Sequence, residues 1–321
     1  MGSINTTLGK LNINKLGCVD VHEHIIIDGS GNENIPNDFI HIESNQIAAD
    51  LSAWKDAGGG SIIDSSPIGA GRNITLLEKT SQIANLPLIV SSGFHKLSYY
   101  SKEHWLFTKS EEQIYKILFE ECTEGVLIND QRPDSSNRSA IKAGILKFGV
   151  DADGITPVIS KILSAVGKAI DEAGVNCMVH TEPGVPFKDI VLNLNKNHIP
   201  PHNVIFCHMG KSLDPQLHQM LAKEGYYLEF DEMVRSNPPL LTLAYALLDL
   251  FNTGYGGSIL FAGDLARRSY WTCFGGKPGL QYLMTGLHDA LSTLGFTDQM
   301  LENIWVKNPQ QFFCGNQSLT G

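Results

Sequence analysis

The chain has 321 residues, of which 42% are hydrophobic and 18% charged, so it can bury a sizeable core. Its net charge of −10 argues against nonspecific binding to nucleic acid or anionic lipid, because both need surplus lysine and arginine. No apolar run approaches the roughly 20 residues of a membrane span, and the N-terminus is polar. The six cysteines are scattered, which predicts buried thiols rather than a disulfide framework. We therefore expect a cytoplasmic protein without a membrane partner.

Short apolar runs alternate with amphipathic segments along the chain, which is the pattern of repeated βα units and a parallel sheet. The length alone is compatible with two ordinary domains or one large α/β barrel. Because no linker or short-period repeat interrupts the pattern, we predict one domain over residues 1–321. Eight runs are predicted strands: Leu16–His22, Ser61–Ser65, Pro87–Ser92, Gly144–Gly149, Asn176–His180, Val204–His208, Tyr226–Phe230 and Ser258–Asp264.

The segments between these runs have the boundary signals of helices. Ser44 is a candidate cap for one helix, and Ser110-Glu-Glu-Gln resembles the capping start of another. Pro157 in a first turn predicts a long helix that ends at Gly174. Helices between strands are what a (β/α)8 arrangement requires.

Two histidines, His22 and His24, stand at the end of the first predicted strand. Residues i and i+2 of a strand point to the same face, so both imidazoles can reach one divalent cation such as zinc. An isolated pair with this spacing is more often structural. Metal binding by this pair is favoured because further candidate ligands stand at the ends of other predicted strands.

The candidate ligands come from separate parts of the chain but from equivalent positions in the pattern. Active sites of parallel barrels form at the carboxyl ends of the strands. Each residue alone has a structural role as an open alternative, whereas the whole set favours metal binding. The set is His22, His24, Lys147, His180, His208 and Asp264.

Several motifs occur along the chain in a fixed order: Val21-His-Glu-His-Ile, Ile141-Lys-Ala-Gly-Ile-Leu-Lys147, Val179-His-Thr, Phe206-Cys-His, Phe261-Ala-Gly-Asp264 and Asn308-Pro-Gln-Gln-Phe-Phe. With these motifs the chain resembles the phosphotriesterase-related family of the amidohydrolase superfamily, over nearly its whole length. The resemblance implies a (β/α)8 barrel that holds two divalent metals. It also implies that a lysine carboxylated by carbon dioxide bridges the two metals.

The resemblance assigns the ligands to the two metals. His22, His24 and Asp264 would bind the more buried metal, and His180 and His208 the more exposed one. Lys147 matches the carboxylated lysine and would contact both. Zinc is the expected cation, although imidazole, carboxylate and carbamate ligands also accept manganese, cobalt or iron. A homodimer is the usual assembly of the family.

An independent physical reason supports the carboxylation of Lys147. An ammonium buried on a strand and pointed at cations would suffer desolvation and like-charge repulsion, so the reactive amine form is favoured. The alternative is a lysine that faces the helix layer and extends its amine to solvent.

Two metals would supply a bridging hydroxide near neutral pH and would polarise a carbonyl or phosphoryl oxygen. Asp264 beside the bridge would accept the proton and deliver it to the leaving alcohol. The alternative for Asp264 is a simple helix cap after the strand. The predicted reaction is hydrolysis of an ester-like bond.

The loop after the third predicted strand places His95, Lys96 and Tyr99 at the mouth of the barrel. These cationic and hydroxyl donors suit an anionic or polyhydroxylated substrate better than an apolar triester. They are therefore candidate substrate contacts.

The loop after the eighth predicted strand, Asp264-Leu-Ala-Arg267-Arg-Ser-Tyr270, resembles that of relatives that hydrolyse phosphorylated sugar lactones. In those relatives the arginine and tyrosine hold the phosphate, which would be the role of Arg267 and Tyr270. A lysine after their seventh strand is absent, and Arg235 is the candidate replacement. The alternative is that Arg267 and Arg268 pair with acidic groups at the barrel rim.

The favoured function is a binuclear metal hydrolase that opens a sugar-derived small-molecule lactone, with or without a phosphate group. The enzymatic alternative is phosphotriester or carboxylester hydrolysis, since fold and metals do not choose the substrate. The alternative outside enzymes is a catalytically silent barrel that retains metal. A silent barrel would be free to lose a ligand or the aspartate, and the sequence retains all of them.

Overall fold

Eight parallel strands form the centre of the molecule. The computed structural model describes residues 2–31, 35–133, 136–235 and 237–315, and neighbouring strands of its main sheet are also neighbours along the chain. This order confirms the predicted (β/α)8 barrel. After a hairpin of β1 (Ser3–Thr6) and β2 (Gly9–Asn12), the barrel strands are β3 (Cys18–Glu23), β4 (Gly59–Asp64), β5 (Leu88–Gly93), β6 (Ile145–Val150), β7 (Asn176–Thr181), β8 (Val204–Phe206), β9 (Tyr227–Phe230) and β10 (Ile259–Phe261).

Backbone donors that follow β10 connect the last barrel strand to the first. The N–H of Asp264 donates to the carbonyl oxygen of His22 over 2.9 Å. The N–H of Leu265 donates to Oε2 of Glu23, also over 2.9 Å. These bonds hold the carboxyl ends of β3 and β10 together and so close the barrel on the side of the candidate ligands.

The predicted strand limits differ from the observed ones at two functional positions. The sequence pattern extended two strands to His208 and Asp264, whereas β8 ends at Phe206 and β10 at Phe261. Both residues adopt left-handed backbone conformations, with φ of 63° at His208 and 44° at Asp264. Non-glycine residues in this region are uncommon and concentrate at functional sites. Each of these two strands therefore ends two or three residues before its candidate ligand.

Apolar side chains form one core inside the barrel and another between the strands and the helices. Alternate residues of a strand point to opposite faces, so the strands from β4 to β10 supply both cores. The buried side chains of the inner core include Val19, Val21, Ile63, Ile89, Ile145, Met178, Ile205 and Leu260.

Helices cover the outside of the barrel. The expected capping box of Ser110 and Gln113 is present, and the helix at Pro157 ends before a left-handed Gly174. Ser44 is the first residue of its helix rather than its cap. The helices are α1 (Ser44–Asp56), α2 (Ile74–Ala84), α3 (Glu111–Thr123), α4 (Pro157–Ala173), α5 (Phe187–Lys196), α6 (Pro215–Glu224), α7 (Leu240–Asn252), α8 (Gly286–Thr293), α9 (Asp298–Glu302), a π-helical Asn303–Lys307 and α10 (Asn308–Cys314).

The β1–β2 hairpin covers the amino-terminal end of the barrel, opposite the candidate ligands. Its Asn5 side chain donates to the carbonyl oxygen of Ala143 over 3.2 Å. Buried Phe312 from α10 lies in the same apolar cluster as Ile4 of the hairpin. The sequence pattern missed this hairpin because each of its strands has only four residues and lacks an apolar run.

The structure also tests the expectations about the cysteine thiols and about membrane spans. All six cysteines are free thiols, and Cys122, Cys177 and Cys207 are buried. Within the ranges that the structure describes, no helix combines the length and apolarity needed to cross a membrane.

The end of β5 allows no side chain at Gly93, which has a φ of 103° and would place a Cβ 2.0 Å from the carbonyl oxygen of Lys147. We expect Gly93→Ala to lower the free energy of unfolding by about 3 kcal/mol or more, from backbone strain and overpacking. Gly174→Ala is the matched control, because its φ is 64° but its Cβ would meet no atom within 4 Å. Urea unfolding of the two variants measures the difference, and equal losses would show that Gly93 needs only its backbone conformation.

Candidate metal centre

The six side chains predicted as metal ligands lie together at the carboxyl end of the barrel. Barrel closure and the parallel strand order bring them into contact from distant parts of the chain. Five are buried and His24 is half-buried: His22, His24, Lys147, His180, His208 and Asp264.

One half of the centre consists of His22, His24 and Asp264, whose ligand atoms lie within 4.8 Å of one another. Oδ1 of Asp264 is 3.5 Å from Nε2 of His24 and 3.9 Å from Nε2 of His22. The Nδ1 atoms point to other partners, namely Ser66 Oγ at 2.9 Å for His24 and Glu229 Oε2 at 3.3 Å for His22. Both Nε2 atoms are therefore aimed at the space beside Asp264.

The other half consists of His180 and His208, with Nδ1 of His180 only 2.8 Å from Nε2 of His208. Their remaining nitrogens contact carboxylates: His180 Nε2 is 3.0 Å from Glu182, and His208 Nδ1 is 2.9 Å from Asp231. An ionised carboxylate only accepts hydrogen bonds, so these two nitrogens carry the protons. The two facing nitrogens then direct lone pairs at one another, and a cation that both could bind would relieve the repulsion.

Both carboxylates are held in the ionised form that this argument needs. The hydrogen bond from His180, together with Lys96, holds the pKa of Glu182 below its ordinary value. Burial of Asp231 opposes ionisation, but His208 and Arg235 outweigh it and keep its pKa well below the usual range. Such carboxylate–imidazole pairs fix the tautomer and the ring orientation of histidine ligands.

Lys147 is fully buried between the two halves. Its Nζ donates to the carbonyl oxygen of Ser65 over 2.9 Å and lies 3.2 Å from Nε2 of His22. Burial lowers the pKa of Lys147 below its ordinary value. The side chain points into the barrel rather than to the helix layer, so the alternative of an amine extended to solvent is wrong.

Desolvation also keeps His22, His24 and His180 neutral. Burial holds the pKa values of His22, His24 and His180 well below the ordinary value, and nearby Lys147 acts in the same direction. Neutral imidazole is the form that binds a metal. The donor set of imidazole nitrogens, a carboxylate and a buried lysine therefore fits divalent cations such as zinc.

The sequence analysis missed the side chains that orient the histidines: Ser66, Glu182, Glu229 and Asp231. A usable signal existed for two of them, because Glu229 and Asp231 stand two residues apart at the end of an apolar strand. This is the spacing that singled out His22 and His24. The spacing places both carboxylates on the inner face, where Glu229 contacts His22 and Asp231 contacts His208.

Lys96 and His95, two of the predicted substrate contacts, border the half formed by His180 and His208. Nζ of Lys96 donates to Glu182 over 2.8 Å, and Lys211, which the sequence analysis did not single out, lies 3.4 Å from the same carboxylate. The ring of His95 packs edge-on against His180, with centroids 4.6 Å apart.

Tyr99 extends the same wall of the mouth. Its ring centroid is 5.1 Å from that of His95, and burial raises its pKa to about 12. The neutral hydroxyl is therefore a donor over the physiological pH range.

Arg235 lies over the other half of the centre. Its guanidinium donates to the carbonyl oxygen of Asp264 over 2.8 Å, contacts the Asp264 carboxylate and lies 3.1 Å from Asp231. Against the desolvation of burial, these carboxylates hold the pKa of Arg235 above its ordinary value, and Tyr270 is close enough to contribute. Arg235 is thus engaged with the centre itself, and half-buried Tyr270 is its neighbour.

Arg267 lies further out, on the rim of the barrel. Its guanidinium lies over the ring of Phe39 at 4.5 Å and is 3.8 Å from Asp38. Arg268 pairs with Glu43 at 2.8 Å. Both arginines therefore have acidic partners at the rim, which is the arrangement of the alternative that the sequence left open.

Comparisons with known proteins agree over nearly the whole chain. The profile of the phosphotriesterase family matches residues 2–313. A phospho-furanose lactonase from Mycoplasmopsis synoviae strain 53 is 29% identical over 318 residues, which cover 95% of this chain and 90% of the relative.

Two solved structures share the fold of this chain over nearly its whole length. An amidohydrolase from Mycoplasma synoviae superposes with a TM-score of 0.90 at 25% identity, over 97% of this chain and 91% of that one. A lactonase from Listeria monocytogenes superposes with a TM-score of 0.86 at 25% identity, over 97% and 99% of the respective chains.

Ser66 Oγ accepts the hydrogen bond from Nδ1 of His24 over 2.9 Å, and a single substitution removes this contact. We expect Ser66→Ala to lower zinc affinity by about 10-fold, because His24 loses the partner that orients its ring. Competition with a chromophoric chelator measures the affinity. Ser52→Ala is the control, since the hydroxyl of Ser52 donates to the Ala48 carbonyl oxygen of its own helix, away from the candidate ligands. Equal affinities of both variants and the parent would mean that Ser66 does not support a metal ligand.

Proposed function

The chain belongs to the phosphotriesterase family, and on that premise we propose that it is a binuclear metal-dependent hydrolase that opens a sugar-derived lactone. The observation that carries the proposal is the convergence of four histidines and Asp264 around fully buried Lys147. The names of relatives support the reaction class, because phospho-furanose lactonase and lactonase describe proteins that share the whole barrel.

The donor set divides between two cations. His22, His24 and Asp264 would hold one cation, and His180 and His208 the other. When bound, such a pair of cations would lower the pKa of water towards neutral and would polarise the carbonyl oxygen of an ester. Zinc is the cation we propose, because neutral imidazole and carboxylate oxygen are its ordinary ligands.

Lys147 would join the two halves as a carbamate. Its lowered pKa favours the neutral amine, which is the form that reacts with carbon dioxide. The neutral amine would form an N–C bond with carbon dioxide and release one proton, and the product would be an anionic carbamate with two oxygens. The hydrogen-bond contacts of Nζ are the Ser65 carbonyl oxygen and Nε2 of His22, whereas Asp264, Glu229 and Asp64 act on it through space.

Asp264 would move the proton. Its Oδ1 lies on the side of the imidazoles, so this oxygen accepts the proton of the attacking water and returns it to the leaving alcohol. Its other oxygen contacts Arg235, which fixes the rotation of the carboxylate. The closure bond from the Asp264 N–H to His22 fixes the backbone beneath it.

The mouth favours a polyhydroxylated ring over an apolar triester. His95, Lys96 and Tyr99 line it, and Lys96 and Lys211 bring two positive charges against the single carboxylate of Glu182. Each ammonium has three donors, so both retain capacity for substrate hydroxyls or an anionic group. An aryl phosphotriester would need an aromatic and aliphatic pocket instead.

A phosphate on the substrate would be bound on the opposite side of the mouth, by Arg267 and Tyr270. The guanidinium of Arg267 is exposed, and a planar fork of donors matches phosphate oxygens. Arg235 would add positive charge behind them, because its own donors contact Asp231 and Asp264. The phospho-furanose lactonase at 29% identity supports a phosphorylated substrate.

The test is a comparison of substrates on protein of measured metal content. We expect five-membered sugar lactones to give a higher kcat/KM than an aryl phosphotriester, because one cation can hold a planar carbonyl while His95, Lys96 and Tyr99 bind ring hydroxyls. Preference for the triester would overturn the lactone assignment and leave phosphotriester hydrolysis. Full metal loading without hydrolysis of any ester would identify a silent barrel.

A further inference from the structure

The carboxylate of Asp38 sits against the turn that carries Arg267 and Tyr270. We propose that Asp38 is a specificity-determining residue that weakens the binding of anionic substrate groups at this turn. The proposal rests on the proposed function, since it concerns the phosphate end of the substrate. It assigns a role to the segment Asn37–Phe39, which contributes no ligand to the candidate metal centre.

Asp38 contacts three donors of the turn. Its Oδ1 accepts the N–H of Ser269 over 3.0 Å, and its Oδ2 accepts the Ser269 hydroxyl over 2.8 Å. The same Oδ2 is 3.8 Å from the guanidinium of Arg267. A backbone N–H, a hydroxyl and a guanidinium are the donors that bind phosphate in proteins. The carboxylate thus takes the position of an anionic ligand.

Arg267 is held in place by a second contact that does not use its donors. Its guanidinium lies over the Phe39 ring at 4.5 Å, next to Asp38 in the chain. The side chain of Arg267 is 47% exposed, and its distance to Asp38 exceeds that of a hydrogen bond. Arg267 therefore keeps free donors for an incoming anion while the charge of Asp38 stays beside it.

The turn connects to the candidate centre through Tyr270. The N–H of Tyr270 donates to the carbonyl oxygen of Arg267 over 2.9 Å. Arg267 and Tyr270 follow Asp264 by three and six residues in the chain, and Arg235 contacts Asp264. An anion bound at Arg267 and Tyr270 would therefore lie on a substrate whose other end reaches Asp264.

The charge of Asp38 then acts against such an anion. A phosphate at Arg267 would carry up to two negative charges within a few ångströms of the carboxylate, and solvent screens the repulsion only in part. Neutralising Asp38 should strengthen binding of the phosphorylated substrate about threefold to tenfold, the scale of one exposed charge interaction. Binding of an unphosphorylated lactone should not change.

Asp38→Asn separates the charge from the hydrogen bonds, because the amide can accept from the Ser269 N–H and donate to its hydroxyl. We expect KM for a phosphorylated sugar lactone to fall about threefold to tenfold, with kcat unchanged. Both kcat and KM for the unphosphorylated lactone should stay the same. Glu43→Gln is the matched control. It neutralises an acid on the same rim that pairs with Arg268, whose guanidinium lies over Phe274 at 3.8 Å. The control should leave both substrates unchanged.

The same variants in an Arg267→Ala background show whether Asp38 acts through Arg267. The effect of Asp38→Asn should disappear in that background. A raised KM in Asp38→Asn, or an equal change on both lactones, would overturn the proposal and make Asp38 a support for the turn. If Glu43→Gln lowered KM for the phosphorylated lactone by the same factor as Asp38→Asn, the change would be due to general surface charge, and the proposal would be wrong.

Binding of inorganic phosphate, measured by calorimetry on the metal-loaded protein, separates this proposal from the proposed function. If no lactone is hydrolysed but Asp38→Asn still strengthens phosphate binding threefold or more in an Arg267-dependent way, the lactonase assignment fails and the role of Asp38 stands. Phosphate binding that responds to neither Asp38→Asn nor Arg267→Ala would place the anion elsewhere and overturn the inference about Asp38.

Discussion

Closure of the barrel between its first and last strands is the constraint on which the candidate centre depends. The N–H of Asp264 bonds the carbonyl of His22, and that of Leu265 bonds Glu23, so the same contacts that close the sheet fix the left-handed backbone at Asp264. Space at this junction is limited, because a Cβ at Gly263 would lie 2.0 Å from the Glu23 carboxylate. The carboxylate that we assign to proton transfer is therefore placed by the fold, before any ligand binds.

Burial then sets the chemistry of the site. Taking imidazoles and a lysine out of water costs free energy unless their polar atoms are satisfied. Around His180 and His208 the cost is offset by ionised Glu182 and Asp231, which also leave one lone pair of each ring facing the other. For Lys147, desolvation outweighs the nearby carboxylates of Asp264, Glu229 and Asp64 and lowers its pKa, which favours an uncharged amine. One desolvated environment thus prepares both the ligands and the lysine, whereas Lys96 and Lys211 beside it stay partly exposed.

Periodicity predicted the barrel strands and, with the rule that parallel strands share a functional edge, grouped residues as distant as His22 and Asp264. It did not predict Glu229 and Asp231 as partners of the histidines, because acidic residues after an apolar run also suit a solvated strand end. The rim was less predictable still. Arg267 and Asp38 meet through loops, which have no period, so their contact depends on packing that only the folded chain shows. Sequence patterns therefore located the ligands better than the surroundings that tune them.

The central claim is that two cations and a carboxylated lysine occupy the centre. The most direct test is a crystal structure of protein grown with zinc and bicarbonate, with anomalous scattering recorded at the zinc edge. We expect two anomalous peaks, one beside His22, His24 and Asp264 and the other between His180 and His208, with planar density attached to Nζ of Lys147. A single peak at full zinc saturation, or a bare amine on Lys147, would contradict the central claim.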